Sequence, residues 1–315
     1  MLVTLSGITP SDNPSNTAQS SASDPAQTEK PVDEPTQRDF AVGDTIKVGN
    51  MEVTVLGHKT HEGGGFLTPD AGNVYYLIDV VIANKGDKAE SISSMLMFDL
   101  RDGDGFSQSI SFGAQSAGQS GLDGSVLPGK VIRGDLGYEI EKNTTGYELQ
   151  INLNVFGSSG LFSVAMDKIS DTPTSPDSLY STKTGAEIAV SQTYSVGNLE
   201  FVVNGIRTDN GKDFLKPDPG NTYFLVDVSV TNTGDETTSI SSMLMFTVRD
   251  SNGYSYSESM GALSASKGSL DGEVMAGKTL RGELGYEVPN GLTGLELFVN
   301  PSVFGTADLF VVSLN

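Results

Sequence analysis

Residues 75–82 read YYLIDVVI, and residues 223–230 read YFLVDVSV. In both stretches every second residue is apolar, and in the second stretch the intervening positions turn polar at Asp227 and Ser229. An apolar period of two is typical of a half-buried β-strand, because successive side chains point to opposite faces. The two stretches therefore predict the same strand twice, with one face packed on a core.

These strands belong to a repeat that spans most of the chain. Ala41–Asp167 aligns without a gap on Ala189–Asn315, a shift of 148 residues, and roughly half of the paired positions are identical. The segment SISSMLMF occurs unchanged at residues 91–98 and 239–246. Self-similarity at a fixed period is the signature of a repeated structural unit. The chain is therefore predicted to contain the same domain twice.

Turn sequences separate the predicted strands within each repeat. Asn84-Lys85-Gly86-Asp87 follows the first strand, and Asp102-Gly103-Asp104-Gly105 marks a hairpin. No segment has helical periodicity over three turns. The pattern predicts an all-β fold with two tandem immunoglobulin-like β-sandwiches of roughly seven or eight short strands each. The chain has no Cys and no Trp, which excludes the antibody subtype of that fold.

A polar segment precedes the two repeats. Residues 11–39 are dominated by Ser, Asp, Pro, Thr, Gln, Glu and Ala, and such a composition cannot bury enough apolar surface to fold. The predicted organisation is a signal remnant and disordered tether at 1–40, a first sandwich at 41–168, a linker at 169–188 and a second sandwich at 189–315.

The first eight residues, MLVTLSGI, resemble the end of a signal peptide. Leu5-Ser6-Gly7 resembles the cleavage box of a bacterial lipoprotein, with Ile8 at the position of the lipidated Cys. One interpretation is an extracytoplasmic protein that contacts the membrane only through an N-terminal anchor. A truncated start is the other.

Charge and composition exclude several classes of function. The chain carries 40 acidic and 19 basic residues, for a net charge of -21. This charge repels phosphate backbones and disfavours nucleic acid as a partner. The absence of Cys excludes disulfides, thiolate nucleophiles and Cys-ligated metals. No apolar run approaches the roughly 18 residues of a membrane-spanning helix.

Four short motifs carry a family resemblance. They are Val-Gly-Asn at 48–50, Asn-x-Gly-Asp at 84–87, Arg-Asp-x-x-Gly at 101–105 and Pro-Gly-Lys-x-x-Arg-Gly at 128–134. They resemble an immunoglobulin-like family known as a domain of unknown function, whose members resemble secreted or lipid-anchored surface proteins of bacteria and archaea. The family is similar in fold to mycobacterial immunoprotective extracellular antigens. The resemblance implies an extracytoplasmic β-sandwich and supplies no reaction and no catalytic residues.

Acidic turns are the candidate metal sites. Asp102-x-Asp104-Gly resembles the opening of a calcium loop, although Gly113 stands where the bidentate Glu of such a loop would be. Asp70 lies in a Pro-Asp loop that both repeats contain. Asp102, Asp104 and Asp70 are therefore candidate calcium ligands, with a plain hairpin turn and a structural loop as the alternatives. No other cofactor is expected.

Residues for enzyme chemistry are sparse. His58 and His61 are the only histidines; with Glu62 they offer a metal site, and surface histidines without a role are the favoured alternative. Asp135 and Glu139, four apart on one strand, are separated by about 13 Å at roughly 3.3 Å per residue. Glycosidase pairs use roughly 5 to 9.5 Å. These two carboxylates are expected on a solvated strand face, and the chain is not predicted to be an enzyme.

Two ion pairs are predicted across neighbouring strands. Asp79 and Asp227 lie mid-strand on the less buried face, where a lone carboxylate gains little. Arg133 and Arg281 lie mid-strand on another predicted strand and offer matching guanidinium groups. We therefore predict the pairs Asp79–Arg133 and Asp227–Arg281.

Two features predict contact with a partner. The Gly-, Ser- and Ala-rich segments 113–124 and 261–272 are expected to be long, flexible loops at one end of each sandwich, where such folds place recognition. Met95, Met97 and Phe98 offer either strand core or an adaptable binding surface.

The sequence predicts a non-enzymatic extracytoplasmic surface protein whose tandem modules serve protein binding, adhesion or envelope structure. The predicted partner is a protein or a cell-envelope ligand. A calcium- or carbohydrate-binding accessory module is the alternative, and an enzyme is the third.

Overall fold

The computed structural model describes residues 39–65, 67–153, 160–175, 188–212, 214–302 and 309–314. Nearly all of the predicted tether and most of the predicted linker lie outside these residues, so their states stay predictions. Among the described residues, no helix is long and apolar enough to cross a membrane.

The first repeat consists of strands of 2 to 12 residues with two short helices. In chain order its elements are β1 (Asp39–Val42), β2 (Thr45–Val48), β3 (Met51–His61), β4 (Asn73–Asn84), β5 (Glu90–Ile92), α1 (Ser94–Met97), β6 (Phe98–Arg101), β7 (Ser107–Gln108), α2 (Phe112–Ala117), β8 (Gly124–Val126), β9 (Val131–Glu141), β10 (Glu148–Asn152) and β11 (Leu161–Ile169).

The second repeat has the same elements in the same order. They are β12 (Ile188–Ala189), β13 (Thr193–Val196), β14 (Leu199–Asp209), β15 (Asn221–Asn232), β16 (Thr238–Ile240), α3 (Ser242–Met245), β17 (Phe246–Arg249), β18 (Ser255–Tyr256), α4 (Met260–Ser264), β19 (Gly272–Val274), β20 (Thr279–Pro289), β21 (Glu296–Val299) and β22 (Phe310–Ser313).

Each repeat forms a β-sandwich of two main sheets. In the first repeat the sheets have the orders β2-β3-β4-β9 and β1-β11-β10-β6-β7, with a separate pair β5-β8. The second repeat has β13-β14-β15-β20, β12-β22-β21-β17-β18 and the pair β16-β19. The predictions of an all-β fold and of a duplicated domain are confirmed. The strands outnumber those predicted because strands as short as β7 and β12 show no period of two.

The core of the first repeat lies between its two sheets. Tyr76, Ile78, Val80 and Ile82, the predicted inner face of β4, belong to its main cluster of buried side chains. The outer face of β4 is also covered, because Tyr75 and Leu77 pack against Ala114 of α2. Covering of this face explains why Tyr75 and Leu77, which lie on it, are apolar.

Glycines in β9 make room for this covering layer. A Cβ on Gly137 would lie 2.5 Å from the backbone nitrogen of Gln115, and one on Gly134 would lie 2.6 Å from the carbonyl oxygen of Gly121. The equivalent glycines of β20 are similarly crowded. The Gly-x-x-Gly spacing is therefore a packing motif that lets α2 and the following segment lie directly on the sheet.

The segment 113–124 is consequently not a flexible loop, and that prediction was wrong. Its first part is α2, which begins after Ser111, whose hydroxyl accepts a hydrogen bond from the amide of Ala114. Its second part is fixed to β9, since the Asp135 carboxylate accepts a hydrogen bond from the amide of Gln119 at 2.8 Å. Asp135 is buried, so its predicted place on a solvated face was also wrong.

The two sandwiches belong to one compact unit and contact each other directly. The turn between β17 and β18 lies against the edge strand β9, where the amide of Arg133 donates a hydrogen bond to the carbonyl of Gly253 at 2.9 Å. Next to it, the amide of Ser255 donates to the hydroxyl of Ser120 at 3.1 Å. A hairpin of the second repeat therefore contacts the sheet edge of the first.

Candidate functional site

The identical segments 91–98 and 239–246 each contain a helical turn between two strands. In α1 the amide of Met97 donates to the carbonyl of Ser93 at 3.0 Å, and the chain returns to strand at Phe98. We call residues 94–97 and 242–245 the Met-Leu turns.

The turn divides its apolar side chains into two groups. Met97 and Phe98 are buried in the core, whereas Met95 is 77% exposed and Leu96 is 67% exposed. Met243 and Leu244 are similarly exposed in the second repeat. Of the three residues for which the sequence offered strand core, only Phe98 is buried in a strand; Met97 is buried in the helical turn, and Met95 is exposed.

Each Met-Leu turn is anchored at its first residue. In the first repeat both the amide and the hydroxyl of Ser94 donate to the Asp123 carboxylate, at 2.8 Å each. Ser242 donates to Asp271 in the same way, at 2.8 and 3.0 Å. These bonds hold the backbone at the start of each turn, from which the two exposed apolar side chains project.

A further exposed apolar side chain begins the next helix of each repeat. Phe112 is the first residue of α2, Met260 is the first residue of α4, and both are exposed. In the second repeat the Ser242 hydroxyl lies 2.6 Å from a carboxylate oxygen of Glu258, which brings this segment to the Met-Leu turn. Burial raises the pKa of Glu258, opposed by the Ser242 hydrogen bond and reinforced by the charge of Asp271.

A cleft of about 290 Å³ opens in the first repeat between β3, β4, β11 and the segment after β9. It is lined by His58, Tyr76, Tyr147 and Met166, among others. The Tyr76 and Tyr147 ring centroids lie 5.7 Å apart, and His58 Nε2 lies 2.9 Å from the carbonyl oxygen of Met166. The corresponding residues of the second repeat are Ile206, Phe224, Leu295 and Leu314, so the polar groups are specific to the first repeat.

The structure does not bring the three candidate calcium ligands together at one site. Asp102 closes its own hairpin turn, because its Oδ1 accepts from the amides of Asp104 and Phe106, at 3.0 and 2.9 Å. Asp70 lies in the β3–β4 connection, and its amide donates to Glu139 at 2.7 Å. Across the described ranges, no group of three or more His, Asp or Glu side chains is placed to hold a metal ion. Calcium binding by Asp102, Asp104 and Asp70 stays a prediction.

The possible histidine site is also dispersed. His58 contacts Met166 in the cleft, and His61 Nδ1 accepts a hydrogen bond from the amide of Gly63. Glu62 pairs with Lys142 at 2.8 Å. These three side chains have separate local partners.

The structure contains a bidentate ion pair on each of the strands β4 and β15. Arg133 donates to Asp79 at 2.9 and 2.6 Å, and Arg281 donates to Asp227 at the same two distances. The pairs are diagonal, because Arg133 lies opposite Val81 in the register of β4 and β9. The hydrogen bond from Arg281 lowers the pKa of Asp227.

A comparison with protein families finds one match in each repeat. The family described as "Domain of unknown function (DUF4352)" matches residues 40–161 and 188–309. The chain belongs to this family. Each DUF4352 match contains one Met-Leu turn, one of the equivalent helices α2 and α4, and one bidentate Asp–Arg pair.

Three solved structures that are similar to the chain each cover about two fifths of it. The yjhA protein from Bacillus subtilis is 23% identical with a TM-score of 0.34, over 41% of this chain and 99% of its own. A conserved hypothetical protein from Bacillus anthracis is 16% identical with a TM-score of 0.32, over 41% and 95%. An uncharacterized β-sandwich protein from Clostridium difficile is 12% identical with a TM-score of 0.31, over 42% and 98%. None of the curated proteins matches the chain. The similarity in fold to mycobacterial antigens stays a prediction.

Sequence reasoning did not find the exposure of Met95 and Leu96. A signal for it was present, because an eight-residue segment without a single difference is unusual in repeats that differ at roughly half of their positions. The role of Asp123 as the anchor of the turn was also missed, because it lies 29 residues from Ser94.

Proposed function

We propose that the chain is a non-enzymatic extracytoplasmic surface protein whose two sandwiches bind a protein partner through the Met-Leu turns. The observation that carries this proposal is the exposure of Met95 and Leu96, 77% and 67%, in a segment that the second repeat contains unchanged. The polar composition of residues 11–39 supports a tether that separates the modules from the cell surface.

The chemistry of the turns favours a protein as the partner. Methionine is unbranched and polarizable, so it adapts to apolar surfaces of different shape. The turns carry no charged side chain, whereas the chain as a whole has a net charge of -21. A partner with an apolar patch bordered by basic groups would be complementary to both features.

Two turns in one chain also permit bivalent binding. When the second contact forms within the same complex, the overall affinity rises without any new contact, provided that both sites engage together. We therefore expect the loss of both turns to weaken binding more than the loss of either one.

The test measures binding of the labelled full chain to cell envelopes of the source organism, before and after protease treatment of the envelopes. Replacing Met95, Leu96, Met243 and Leu244 with Ser should raise the dissociation constant by about tenfold or more. Ile169→Ser, at another exposed apolar position, is the matched control and should bind like the wild type. Unchanged binding by the fourfold variant refutes the role of the turns, and binding that survives protease refutes a protein partner.

The cleft of the first repeat favours a second candidate, a small-ligand site of the carbohydrate-binding type. Its Tyr76, Tyr147 and His58 combine ring surface with polar groups, as sites for small ligands do. Titration with soluble envelope glycans tests it, with Tyr147→Leu as the variant because Leu295 is the corresponding residue of the second repeat. Heat of binding that this variant abolishes would support the site, and absence of heat with the wild type would remove it.

A further inference from the structure

The contact between the two repeats is asymmetric. The second repeat contributes a hairpin, residues 249–255, and the first repeat contributes a sheet edge, residues 130–133. We call these the docking hairpin and the edge surface. Gly253 lies so close to the edge surface that a Cβ on it would be 2.9 Å from Val131. The guanidinium of Arg133 lies 4.8 Å from the centre of the Tyr254 ring.

Charged groups complete this contact. Arg249 is buried and donates to the carbonyl of Ser125 at 2.7 Å. Lys130 forms an ion pair with Glu296, which lies directly opposite Arg249 in the register of β17 and β21. The second repeat therefore contributes a ring, a buried guanidinium and the carboxylate of Glu296, and the first repeat contributes a guanidinium, the carbonyl of Ser125 and an ammonium group.

Because the domain is duplicated, each surface occurs a second time. The first repeat has its own docking hairpin at residues 101–107, and the second repeat has its own edge surface at residues 278–281. Both copies are exposed: Phe106, which corresponds to Tyr254, is 70% exposed. The side chain of Arg281 is 63% exposed, against 18% for Arg133.

The second copies have the chemistry of the first. Gly105 has φ +89°, close to the +87° of Gly253, so the two turns have the same backbone form. Asp227 holds Arg281 at the same two distances at which Asp79 holds Arg133, so the guanidinium is in place to face an aromatic ring. Lys278 corresponds to Lys130.

The first repeat also has the carboxylate that accompanies the docked hairpin in the second repeat. Glu148 corresponds to Glu296, and it lies directly opposite Arg101 as Glu296 lies opposite Arg249. The hairpin at 101–107, together with Glu148 beside it, thus presents a ring, a guanidinium and a carboxylate, as the docked hairpin does together with Glu296.

We propose that the docking hairpin of one chain binds the edge surface of a second copy of the chain, and so repeats between chains the contact that joins the two repeats within one chain. This contact is heterologous, because a hairpin meets an edge. Each bound chain presents a new hairpin and a new edge, so the association continues into head-to-tail oligomers. An unpaired edge strand is a ready template for such pairing.

Two differences make the contact between chains weaker than the contact within one. Gly268 stands where Ser120 provides a hydroxyl acceptor in the first repeat, so one hydrogen bond is lost. Arg101 donates to Asp99 at 2.8 Å and must leave this partner to reach the other chain. The association is therefore reversible and depends on protein concentration.

Charge-reversal variants of the full chain test the proposal. The measurement is sedimentation velocity over a series of protein concentrations. The wild type should form species larger than a dimer as the concentration rises. Lys278→Glu and Glu148→Lys should each raise the dissociation constant by about tenfold or more, because like charges then face each other. Both replaced residues lie outside the contact within the chain. Ile169→Glu is the matched control and should associate like the wild type.

Mixing the two variants makes the test specific. In the mixture the lysine introduced at position 148 faces the glutamate introduced at position 278, and the unchanged Glu148 and Lys278 face each other as in the wild type, so the mixture should form oligomers in which the two variants alternate. The double variant should recover the oligomers of the wild type. A wild type that stays monomeric to millimolar concentration overturns the proposal, as does association that either charge reversal leaves unchanged.

Discussion

Replacing Gly253 with Ala tests the packing of the two repeats, and Gly105→Ala is its matched control. Both glycines end an Asp-x-x-Gly turn, with φ +87° and +89°. A left-handed backbone brings Cβ close to the following carbonyl and costs about 1–2 kcal/mol for a residue other than Gly. This cost is common to the two variants and cancels in their difference.

The surroundings of the two positions differ. A Cβ at Gly253 would lie 2.9 Å from Cγ2 of Val131 and 3.2 Å from the nitrogen of Arg133, whereas one at Gly105 would meet nothing within 4 Å. Forcing an extra methyl group into a packed site costs about 1–3 kcal/mol. We therefore expect Gly105→Ala to lower the free energy of unfolding by about 1–2 kcal/mol and Gly253→Ala by about 2–5 kcal/mol. The difference between the two variants cannot exceed the free energy of the contact between the repeats, because a larger strain would be relieved when the repeats separate.

Urea unfolding at low protein concentration measures the difference, since a change in midpoint at constant m-value is a change in stability. Fluorescence energy transfer between a dye in each repeat reports whether Gly253→Ala also moves the repeats apart. Equal destabilisation by the two substitutions, with unchanged energy transfer, would refute the reasoning, because the added methyl group would then have met no resistance.

Three further predictions rest on single residues. Burial raises the pKa of Glu258, so the folded state binds a proton more tightly than the unfolded chain, and the contribution of Glu258 to stability falls as the pH rises through the folded pKa; Glu258→Gln should remove this contribution, reduce the pH dependence and raise the urea midpoint at pH 7, and a pH dependence identical to that of the wild type would contradict it. Gly137→Ala should lower the free energy of unfolding by about 1–3 kcal/mol or more, because α2 covers that position. Gly57→Ala is the control and should have little effect, because a Cβ there would meet nothing within 4 Å. Similar unfolding midpoints for both variants would count against the packing role. A plain hairpin turn, in which Asp102 accepts two amide hydrogen bonds, is the alternative to a calcium site and predicts the same thermal midpoint with calcium and with chelator; a rise of several degrees with calcium would instead support Asp102, Asp104 and Asp70 as ligands.

The all-β fold and the duplication were predictable from the sequence. An apolar period of two reports the local geometry of a strand, and the period of 148 residues is visible without any structure. The Asp79–Arg133 and Asp227–Arg281 pairs were predictable as well, because complementary groups at the middle of two strands occur in both repeats.

The candidate site was predictable only in part. Met95 and Leu96 differ from Met97 by one or two positions and have the same apolar character, yet only Met97 is buried. Sequence character alone does not distinguish them, because the helical turn that separates them depends on an aspartate 29 residues away.

The sequence by itself determined the strand pattern, the repeat and the chemical character of each surface, because these follow from composition and spacing along the chain. Only the tertiary structure decided that Asp135 is buried, that Met95 is exposed and that Gly253 packs on the first repeat while Gly105 faces solvent. Burial is a property of contacts between distant segments, so two residues that are equivalent in the repeat have different surroundings once the two sandwiches pack together.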